Sequence, residues 1–211
     1  MKQPTLPGFS ASGNSDDFLS IECDASYADK TFSGLHQDEG QKTANTEFYD
    51  CVFKNCKFFK SAFFYCVFEN CKFENCDLSL SLMRSTSFRD VKFYDTKLSG
   101  IQWADAAIPL DVAFYRCLLN YSGFIGVDLA NTEMIECQLK DADFSEANLS
   151  KARCSFSDFS GARFMNTNLT RADFTNATHY AIHPHGNKLC KTKFSSPEVL
   201  SLLDVFDIII E

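Results

Sequence analysis

The chain has 211 residues, a formal net charge of −8 at pH 7, and 45% hydrophobic residues, among them 22 phenylalanines and 10 cysteines. Its length admits one or two domains, and it contains no apolar run long enough to span a bilayer. No charged segment followed by an apolar one opens the chain, as a secretory signal does. We therefore expect a cytoplasmic protein with no membrane association.

Residues 1–45 are predicted to form an N-terminal region in three parts. Residues 1–17 are rich in Ser, Gly, Pro and Asp, a composition that favours a flexible tail. Apolar residues from Phe18 to Leu35 predict an irregular coil, which caps the open strand edge of the structure that follows. Residues 36–45 have no regularly spaced apolar residues and are interpreted as a loop that projects from this coil.

From residue 46 to residue 181, a large and mostly apolar residue recurs at every fifth position. A small or compact residue, most often Cys, Ala, Ser or Thr, lies two positions before it. A period of five matches neither a helix nor a strand, but a fixed-period repeat is typical of a solenoid. One extra residue near Pro109 divides the large positions, called centres here, into two series: Phe48, Phe53, Phe58, Phe63, Phe68, Phe73, Leu78, Met83, Phe88, Phe93, Leu98, Trp103 and Ile108, then Phe114, Leu119, Phe124, Leu129, Met134, Leu139, Phe144, Leu149, Cys154, Phe159, Phe164, Leu169, Phe174 and, more weakly, His179.

Two inward and three outward positions per unit suggest a chain that turns a corner at every unit. The motifs Ala142-Asp143-Phe144-Ser145-Glu146, Ala147-Asn148-Leu149-Ser150-Lys151 and Ala172-Asp173-Phe174-Thr175-Asn176 resemble the A(D/N)LXX signature of the pentapeptide-repeat family. This resemblance implies an all-β fold, the right-handed quadrilateral β-helix (pentapeptide-repeat solenoid), with four units per coil. Counting units places one set of centres on a single face: Phe48, Phe68, Phe88, Ile108, Leu129, Leu149 and Leu169. The extra residue near Pro109 to Asp111 is predicted to form a small bulge at a corner.

Residues 182–211 are predicted to form a C-terminal cap or dimerisation segment. Ser196, Pro197 and Glu198 are typical of the start of a helix, with Ser as N-cap and Pro at the first helical position. Because the segment is too apolar to lie in water alone, we expect it to cover the last coil, pair with a second copy, or both. The residues expected at the dimer interface follow helical spacing and then a possible strand: Val199, Leu202, Leu203, Phe206, Ile208 and Ile210.

Most cysteines fit the repeat as small inward residues, which is typical of free buried Cys. Seven of them take the small position: Cys51, Cys56, Cys66, Cys71, Cys76, Cys117 and Cys137. Residues 20 apart should stack, which pairs Cys51 with Cys71, Cys56 with Cys76 and Cys117 with Cys137. Neighbouring strands lie about 4.8 Å apart, so disulfides stay open as an alternative to packing, as does metal binding.

No residues form a convincing catalytic constellation, so an enzyme is not expected. His183 and His185 flank Pro184 and lack a third ligand at a suitable spacing, which favours a turn over a zinc site. The sequence predicts no catalytic residues, no metal and no cofactor.

Charge gives a different kind of candidate site. Residues 46–181 carry 17 acidic and 14 basic side chains, a mildly acidic balance without a basic patch, so direct nucleic-acid binding is disfavoured. Several acids fall on one predicted face and its neighbour. This cluster is interpreted either as an ordinary solvated face or as a binding surface for a basic partner. This acidic wall consists of Glu47, Asp50, Glu69, Asp90, Asp128, Glu74 and Asp95.

A second candidate surface is an outward apolar patch, which is either covered by the N-terminal tail or used by a foreign partner. It comprises Phe59, Phe64, Tyr65, Leu80 and Leu82.

Within the family, the chain is similar to the topoisomerase-protecting branch of Qnr, MfpA, AlbG and McbG in its size, early loop and C-terminal helix. That resemblance implies a DNA-mimicking protein that binds DNA gyrase or topoisomerase IV, protects it from quinolones or gyrase-targeting toxins, and dimerises through its C-terminal segment. The predicted loop resembles in composition a gyrase-engaging loop of Qnr proteins: Gln37, Asp38, Glu39, Gly40, Gln41 and Lys42. The alternative is a protein-binding scaffold with an unrelated partner.

Overall fold

The protein is a parallel β-solenoid of about eight turns with one short C-terminal helix, which confirms the predicted right-handed quadrilateral β-helix. The computed structural model describes residues 20–206 and residue 208. The predicted tail, Phe18 and Ile210 lie outside the described residues.

Fourteen short strands and two 3-10 helices make up the described part of the chain. The 3-10 helices are Trp103–Asp105 and Glu198–Phe206. The strands are β1 (Ser26–Ala28), β2 (Thr31–Ser33), β3 (Lys42–Ala44), β4 (Glu47–Tyr49), β5 (Val52–Lys54), β6 (Ala62–Phe64), β7 (Val67–Glu69), β8 (Lys72–Glu74), β9 (Ser87–Arg89), β10 (Val91–Tyr94), β11 (Val112–Tyr115), β12 (Glu133–Ile135), β13 (Asp173–Phe174) and β14 (Lys193–Phe194).

Four faces follow one another around each coil, and all pairing between coils is parallel. Face A carries β1, β4, β7 and β9, and face B carries β2, β5, β8, β10, β11 and β12 in that spatial order, followed by β13 and β14. Isolated bridges such as Lys57 to Asp77 hold face C, whereas β3, β6 and further bridges form face D. The edge between two faces is named by both letters, so edge AB separates faces A and B.

Stacked aromatic rings fill the interior of the first half of the solenoid. On face A the ring centroids of Phe48 and Phe68 lie 4.7 Å apart, and on face B those of Phe53 and Phe73 lie 4.5 Å apart. Rings on adjoining faces meet edge-on, as Phe48 and Phe53 do at 72°. Both arrangements are favourable for aromatic pairs, so the repeated phenylalanine packs along the axis and across it.

A residue with positive φ ends most units outside the segment between residues 103 and 111, and turns the chain onto the next face. At edge AB this residue is Asp50 (φ 54°), Asn70 (φ 51°) and Asp90 (φ 48°) on successive coils. Asn and Asp tolerate this left-handed conformation better than other residues with a side chain. Three of the acidic-wall residues, Asp50, Asp90 and Asp95, therefore have a structural reason to be aspartate.

The small inward residues do more than fill space, because many of them donate hydrogen bonds to backbone carbonyls of the preceding coil. Cys71 Sγ donates to the Phe48 carbonyl at 3.4 Å, Thr86 Oγ1 to Phe63 at 2.9 Å, and Ser157 Oγ to Met134 at 2.8 Å. A buried carbonyl without a partner is costly, so these donors stabilise the stack. The five-residue pattern predicts packing at these positions but does not reveal their hydrogen bonds.

The predicted stacking of cysteines 20 residues apart is confirmed. Phe53 pairs with Phe73, which aligns Cys51 with Cys71, and the Cys56 amide donates to Cys76 Sγ at 3.4 Å. All ten thiols are free. Hydrogen bonding to the Cys51 sulfur, together with burial, raises the pKa of the Cys71 thiol, and burial raises that of Cys154. Protonated, buried thiols of this kind are poor nucleophiles and poor metal ligands.

The first coil differs from the two predictions made for it. It is regular rather than irregular, since β1 pairs with β4 and β2 pairs with β5. Residues 36–45 do not project as a loop but complete the coil with one extra residue. Gln37 and Thr43 take the centre positions, are buried, and are joined by a 2.9 Å hydrogen bond from Gln37 Nε2 to Thr43 Oγ1. Because both of these centres are polar, the spacing of apolar residues does not predict this coil.

The extra residue near Pro109 causes more than a small bulge. Trp103–Asp105 forms a 3-10 turn, after which Ile108 is 87% exposed and Leu110 is the buried residue of the segment. Ile108 is therefore not a centre, contrary to the prediction. The register recovers at once, because Phe93 pairs with Phe114 and Phe114 with Met134. The remaining face A centres stay aligned, as the bridges from Asp128 through Asn148 to Asn168 show.

Parallel pairing continues beyond residue 181, where the repeat was expected to end. Tyr180, rather than His179, is the buried residue of the last predicted unit. Asn168 then bridges to Lys188, and β13 pairs with β14, so Leu189 and Phe194 extend faces A and B by one more partly buried coil. Side chains less apolar than those of the repeat, between residues 183 and 188, concealed this continuation.

We expect Phe88→Ala to lower the free energy of unfolding by about 3–5 kcal/mol, because it empties a packed site. Phe88 is 0% exposed and its ring stacks on Phe68. Arg89 is the adjacent control, since it points outward and its ion pair with Glu69 is exposed. Arg89→Ala should cost less than about 1 kcal/mol. Chemical denaturation of both variants measures the difference, and equal losses would show that the register is wrong.

The interior hydrogen bonds can be tested with Thr86→Val. Valine keeps the shape of threonine but removes the donor to the Phe63 carbonyl, so we expect a loss of about 1 kcal/mol in unfolding free energy. Thr170, an outward residue of face A, supplies the control Thr170→Val, which should be nearly neutral. If thermal and urea unfolding show no difference between the two variants, the hydroxyl contributes only volume.

Candidate partner-binding surfaces

The structure spreads the predicted acidic wall over several columns instead of one patch. Glu47, Glu69 and Asp128 lie on face A, and Asp50 and Asp90 lie on edge AB. The other two acids lie further around the coil, on face B and on edge BC: Glu74 and Asp95.

Basic side chains compensate four of these seven carboxylates, three of them from a neighbouring coil and one, Lys92, from the same coil. The pairs are Glu69 with Arg89 at 3.3 Å, Glu74 with Lys54 at 3.2 Å, Asp90 with Lys92 at 3.1 Å, and Asp95 with Arg116 at 2.7 Å. Arg116 binds both carboxylate oxygens of Asp95, and this hydrogen bonding lowers the pKa of the aspartate. All four pairs are solvent-exposed, so they contribute little to stability but reduce the field that a partner meets.

The other three acids of the wall have no basic partner within 4 Å among the described residues. Asp50 accepts a hydrogen bond from the Asn70 amide, and Asp128 accepts one from Asn148 at 2.8 Å. Glu47 is exposed on β4, immediately beside Asp50 in the same coil. Glu47, Asp50 and Asp128 are therefore the acids of the wall whose charge no base of the described residues offsets.

Edge AB contains two further acids that the sequence analysis missed. Asp29 precedes Asp50 by one coil, and Asp111 follows Asp90, with its carboxylate accepting a hydrogen bond from the Asp90 amide at 3.2 Å. The count of 21 residues between these coils, rather than 20, moved them out of the expected columns. The acidic half of edge AB thus consists of Asp29, Asp50, Asp90 and Asp111.

The predicted partner-binding loop is part of the first coil, and its residues divide into two groups. Gln37 is 2% exposed and helps to close the coil, although its Oε1 atom has no hydrogen-bond partner. Gly40 donates to the Lys60 carbonyl, and the side chain of Gln41 accepts from the Asp38 amide. The exposed charges are Asp38, Glu39 and Lys42, of which Glu39 pairs with Lys60 of the next coil.

The predicted apolar patch extends along face D and its edge with face C. Leu82 is 54% exposed and Leu80 47%, while the ring of Phe64 lies between the cations of Lys42 and Arg84, at 5.0 and 5.9 Å. Phe59 is half-covered by Lys60. Later coils add separate exposed apolar residues, with Tyr121 on edge CD and Ile125 and Met165 on face D.

The C-terminal helix is of the 3-10 type, which changes the predicted apolar face. Three residues per turn align positions three apart instead of alternating three and four. One row, Val199, Leu202 and Val205, is half-buried, and Leu202 packs against the core while the Ser201 hydroxyl donates to the Tyr180 carbonyl. The other row is Leu200, Leu203 and Phe206, with Leu200 and Phe206 exposed, as is Ile208. The helix therefore covers the last coil and still presents an apolar row.

No group of three His, Cys, Asp or Glu side chains in residues 20–206 is arranged to hold a metal ion. Over the same residues, no helix combines the length and apolar character required to cross a bilayer. His183 and His185 form a local turn, in which the His185 amide donates to His183 Nδ1 at 3.2 Å.

The chain belongs to the pentapeptide-repeat family. A model of a pentapeptide repeat region matches residues 46–124, and a model of pentapeptide repeats in eight copies matches residues 122–153 and 147–178. Among curated protein sequences, none matches the chain at a significant level.

Two solved structures of QnrB1, a plasmid-mediated fluoroquinolone resistance protein, are similar to the chain along almost its whole length. Both are trypsin-treated forms of point variants of that protein. The first is 20% identical, with a TM-score of 0.67, over 90% of this chain and 99% of that chain. The second is also 20% identical, with a TM-score of 0.68, over 91% and 100% of the two chains. At this identity the similarity establishes the fold.

Proposed function

We propose that this protein is a non-enzymatic DNA mimic that binds DNA gyrase or topoisomerase IV in the cytoplasm and protects it from quinolones or gyrase-targeting toxins. The observation that carries the proposal is the match to QnrB1, which extends over 99–100% of that chain and so includes both ends of the solenoid. Family membership supports the same class of non-catalytic, protein-binding protein.

The acidic half of edge AB, with Glu47 beside it, is the surface that best suits a basic DNA-binding groove. Its carboxylates project from four of five successive coils, with Asn70 between Asp50 and Asp90, and the rise per coil is about 4.8 Å, so they form a negative column on the rod. Charge of one sign accelerates encounter with an oppositely charged surface. Because Glu69, Asp90, Glu74 and Asp95 are ion-paired, Glu47 and Asp50 are proposed to contribute most of the attraction.

The rim of the first coil is proposed as a second contact with the enzyme. Asp38, Glu39 and Lys42 are exposed there, whereas Gln37 supports the coil from inside. Deleting residues 37–42 would therefore remove a structural element together with any contact, and substitutions at the exposed charges are the better probe.

We also propose that two copies dimerise through the C-terminal helix. Leu202 is committed to the core of its own chain, which leaves Leu200, Leu203, Phe206 and Ile208 as the apolar residues that a second copy would cover. This set differs from the sequence prediction by the addition of Leu200 and by the inward role of Val199 and Leu202.

A protein-binding scaffold with an unrelated partner is the second candidate function. The charge compensation of four of the seven predicted acids favours it, because a paired surface is a weaker imitation of DNA. The exposed apolar residues of face D, Leu82, Ile125 and Met165, would then be part of the contact surface.

Charge reversal tests the topoisomerase proposal. We expect the combined change Glu47→Lys, Asp50→Lys, Glu69→Lys and Asp90→Lys to abolish protection of gyrase supercoiling from a fluoroquinolone, since like charges across an interface cost several kcal/mol. The control reverses four acids on faces C and D and edge CD, Asp77, Asp141, Asp143 and Asp158, and should retain protection. Circular dichroism checks that both variants keep the fold.

Two outcomes contradict the proposal in different ways. Protection that survives reversal on face A and edge AB removes this surface from the mechanism. Wild-type protein that neither binds gyrase nor topoisomerase IV nor alters inhibitor potency rejects the topoisomerase function and leaves the scaffold.

The C-terminal dimer is tested with Leu200→Glu combined with Phe206→Glu. Both side chains are exposed in the single chain, so the variant should fold normally but be monomeric by light scattering at about 0.5 M NaCl, where charge contacts are screened. Asp204→Lys, an exposed change on the same helix, is the control and should stay dimeric. A monomeric wild-type protein under these conditions would reject the C-terminal dimer.

A further inference from the structure

Edge AB carries opposite charges at its two ends. Eight corner residues with positive φ, together with Asp111, which accepts a hydrogen bond from the Asp90 amide, form one column over nine successive coils: Asp29, Asp50, Asn70, Asp90, Asp111, Asn131, Lys151, Arg171 and Lys191. Acids occupy the N-terminal half and bases occupy the last three coils. Every member of the column is exposed, so this charge separation is presented to solvent.

This pattern is specific to one edge of the solenoid. Among the positive-φ corners of residues 20–206, the Lys or Arg residues on the next two edges are Arg116 on edge BC and Lys60 on edge CD, each among neutral and acidic corners. The described corners of edge DA include no base. The repeat geometry is the same at all four edges, so it does not explain why three consecutive bases collect on edge AB.

The three bases also lack partners within the described part of their own chain. Lys151, Arg171 and Lys191 have no carboxylate within 4 Å there, unlike Arg153 and Lys193 on the adjoining face, which pair with Glu133 and Asp173. They occupy equivalent positions about 4.8 Å apart on successive coils, and like charges in such positions repel one another. A ligand with matching negative charges would relieve this repulsion.

We propose that edge AB binds the same edge of a second copy of this chain in antiparallel orientation. A two-fold axis between Asp111 and Asn131 places Asp50 of one copy opposite Lys191 of the other. The same axis places Asn70 opposite Arg171 and Asp90 opposite Lys151. Asp111 then faces Asn131, and each of these contacts occurs twice. Asp90 already contacts Lys92, so Lys151 of the second copy adds a further base to that carboxylate.

A second copy fits this edge better than a nucleic acid does. Both copies have the same rise per coil, so all charges match in one register without adjustment. An extended polyanion would gain the three bases but would meet Asp90 and Asp50 further along the same edge, where like charges repel. The self-complementary pattern thus selects an isologous contact, in which the same surface is used by both copies.

This association would cover the acidic half of edge AB, and it does not depend on the proposed function. If that half also binds a topoisomerase, self-association and enzyme binding exclude each other, and salt or dilution would release the acidic surface. Failure of topoisomerase binding would leave the self-association unaffected, and the reverse also holds.

Two charge-swapped variants of the full chain test the proposal. The basic-edge variant carries Asp50→Lys and Asp90→Lys, and the acidic-edge variant carries Lys151→Glu and Lys191→Glu. Each should lose edge-to-edge association with itself, because its edge then has one sign of charge over most of its length. Mixed together, the two should associate with each other, since basic and acidic edges then meet at both ends.

Isotope labelling of one variant allows native mass spectrometry to count mixed and unmixed dimers at low salt. We expect mixed dimers well above the statistical half in the mixture, and loss of this enrichment at about 0.5 M NaCl. A C-terminal contact alone gives the statistical half, since it is identical in every pairing. The control, Lys57→Glu with Lys140→Glu, makes the same change in charge on the exposed surface of face C and should behave as wild type.

Three results would overturn the proposal. These are a wild-type protein that is monomeric at low salt, a mixture that shows no enrichment of mixed dimers, or an edge variant that self-associates undiminished at low salt when Leu200→Glu and Phe206→Glu remove the C-terminal contact from it and from the reference chain. Circular dichroism of all variants establishes that the exposed substitutions leave the solenoid folded.

Discussion

Closure of each coil on the backbone of the next is the constraint on which the whole structure depends. The chain must return to the same face after four units, so that Phe48, Phe68 and Phe88 lie above one another and their strands pair in parallel. Each unit needs one residue that turns a corner with positive φ and one whose small side chain fits inside that corner. The fold tolerates insertions between these required positions. Two coils each contain one extra residue, and the strands that follow still pair in register.

The same constraint organises the surface into columns. A residue at a given position of one unit is beside its equivalent 20 or 21 residues away, so ion pairs form along the rod, as between Lys54 and Glu74 or Asp95 and Arg116. Functional surfaces are therefore built or cancelled by residues far apart in sequence. The bases at the end of edge AB form a run of like charges in one column. They repel one another, and no acidic side chain on an adjacent described coil pairs with them.

These surfaces suggest a protein that works by presenting fixed charge and apolar area on a rigid support. The acidic half of edge AB, the exposed apolar residues of face D and the exposed row of the C-terminal helix lie on different elements of the structure. Each could be occupied separately, which suits a protein that combines self-association with a foreign partner. The topoisomerase and edge-to-edge proposals share the acidic half of edge AB, whereas the scaffold and the C-terminal dimer use other surfaces. Separate experiments test each proposal, so each can fail without the others.

The sequence by itself determined the fold, nearly all of the centres and the stacking of the cysteines, because the five-residue pattern fixes which side chains point inward. The ion pairs between coils could also have been predicted from the sequence. Glu69 and Arg89, for example, are 20 residues apart, which is the length of one coil. Only the tertiary structure decided the first coil, where buried Gln37 and Thr43 satisfy each other instead of following the apolar pattern. The same holds for Ile108, which the inserted segment turns outward, and for the C-terminal helix, whose contact with Tyr180 and the last coil accompanies 3-10 geometry. In each case the outcome depends on contacts between distant residues, and a local pattern carries no information about them.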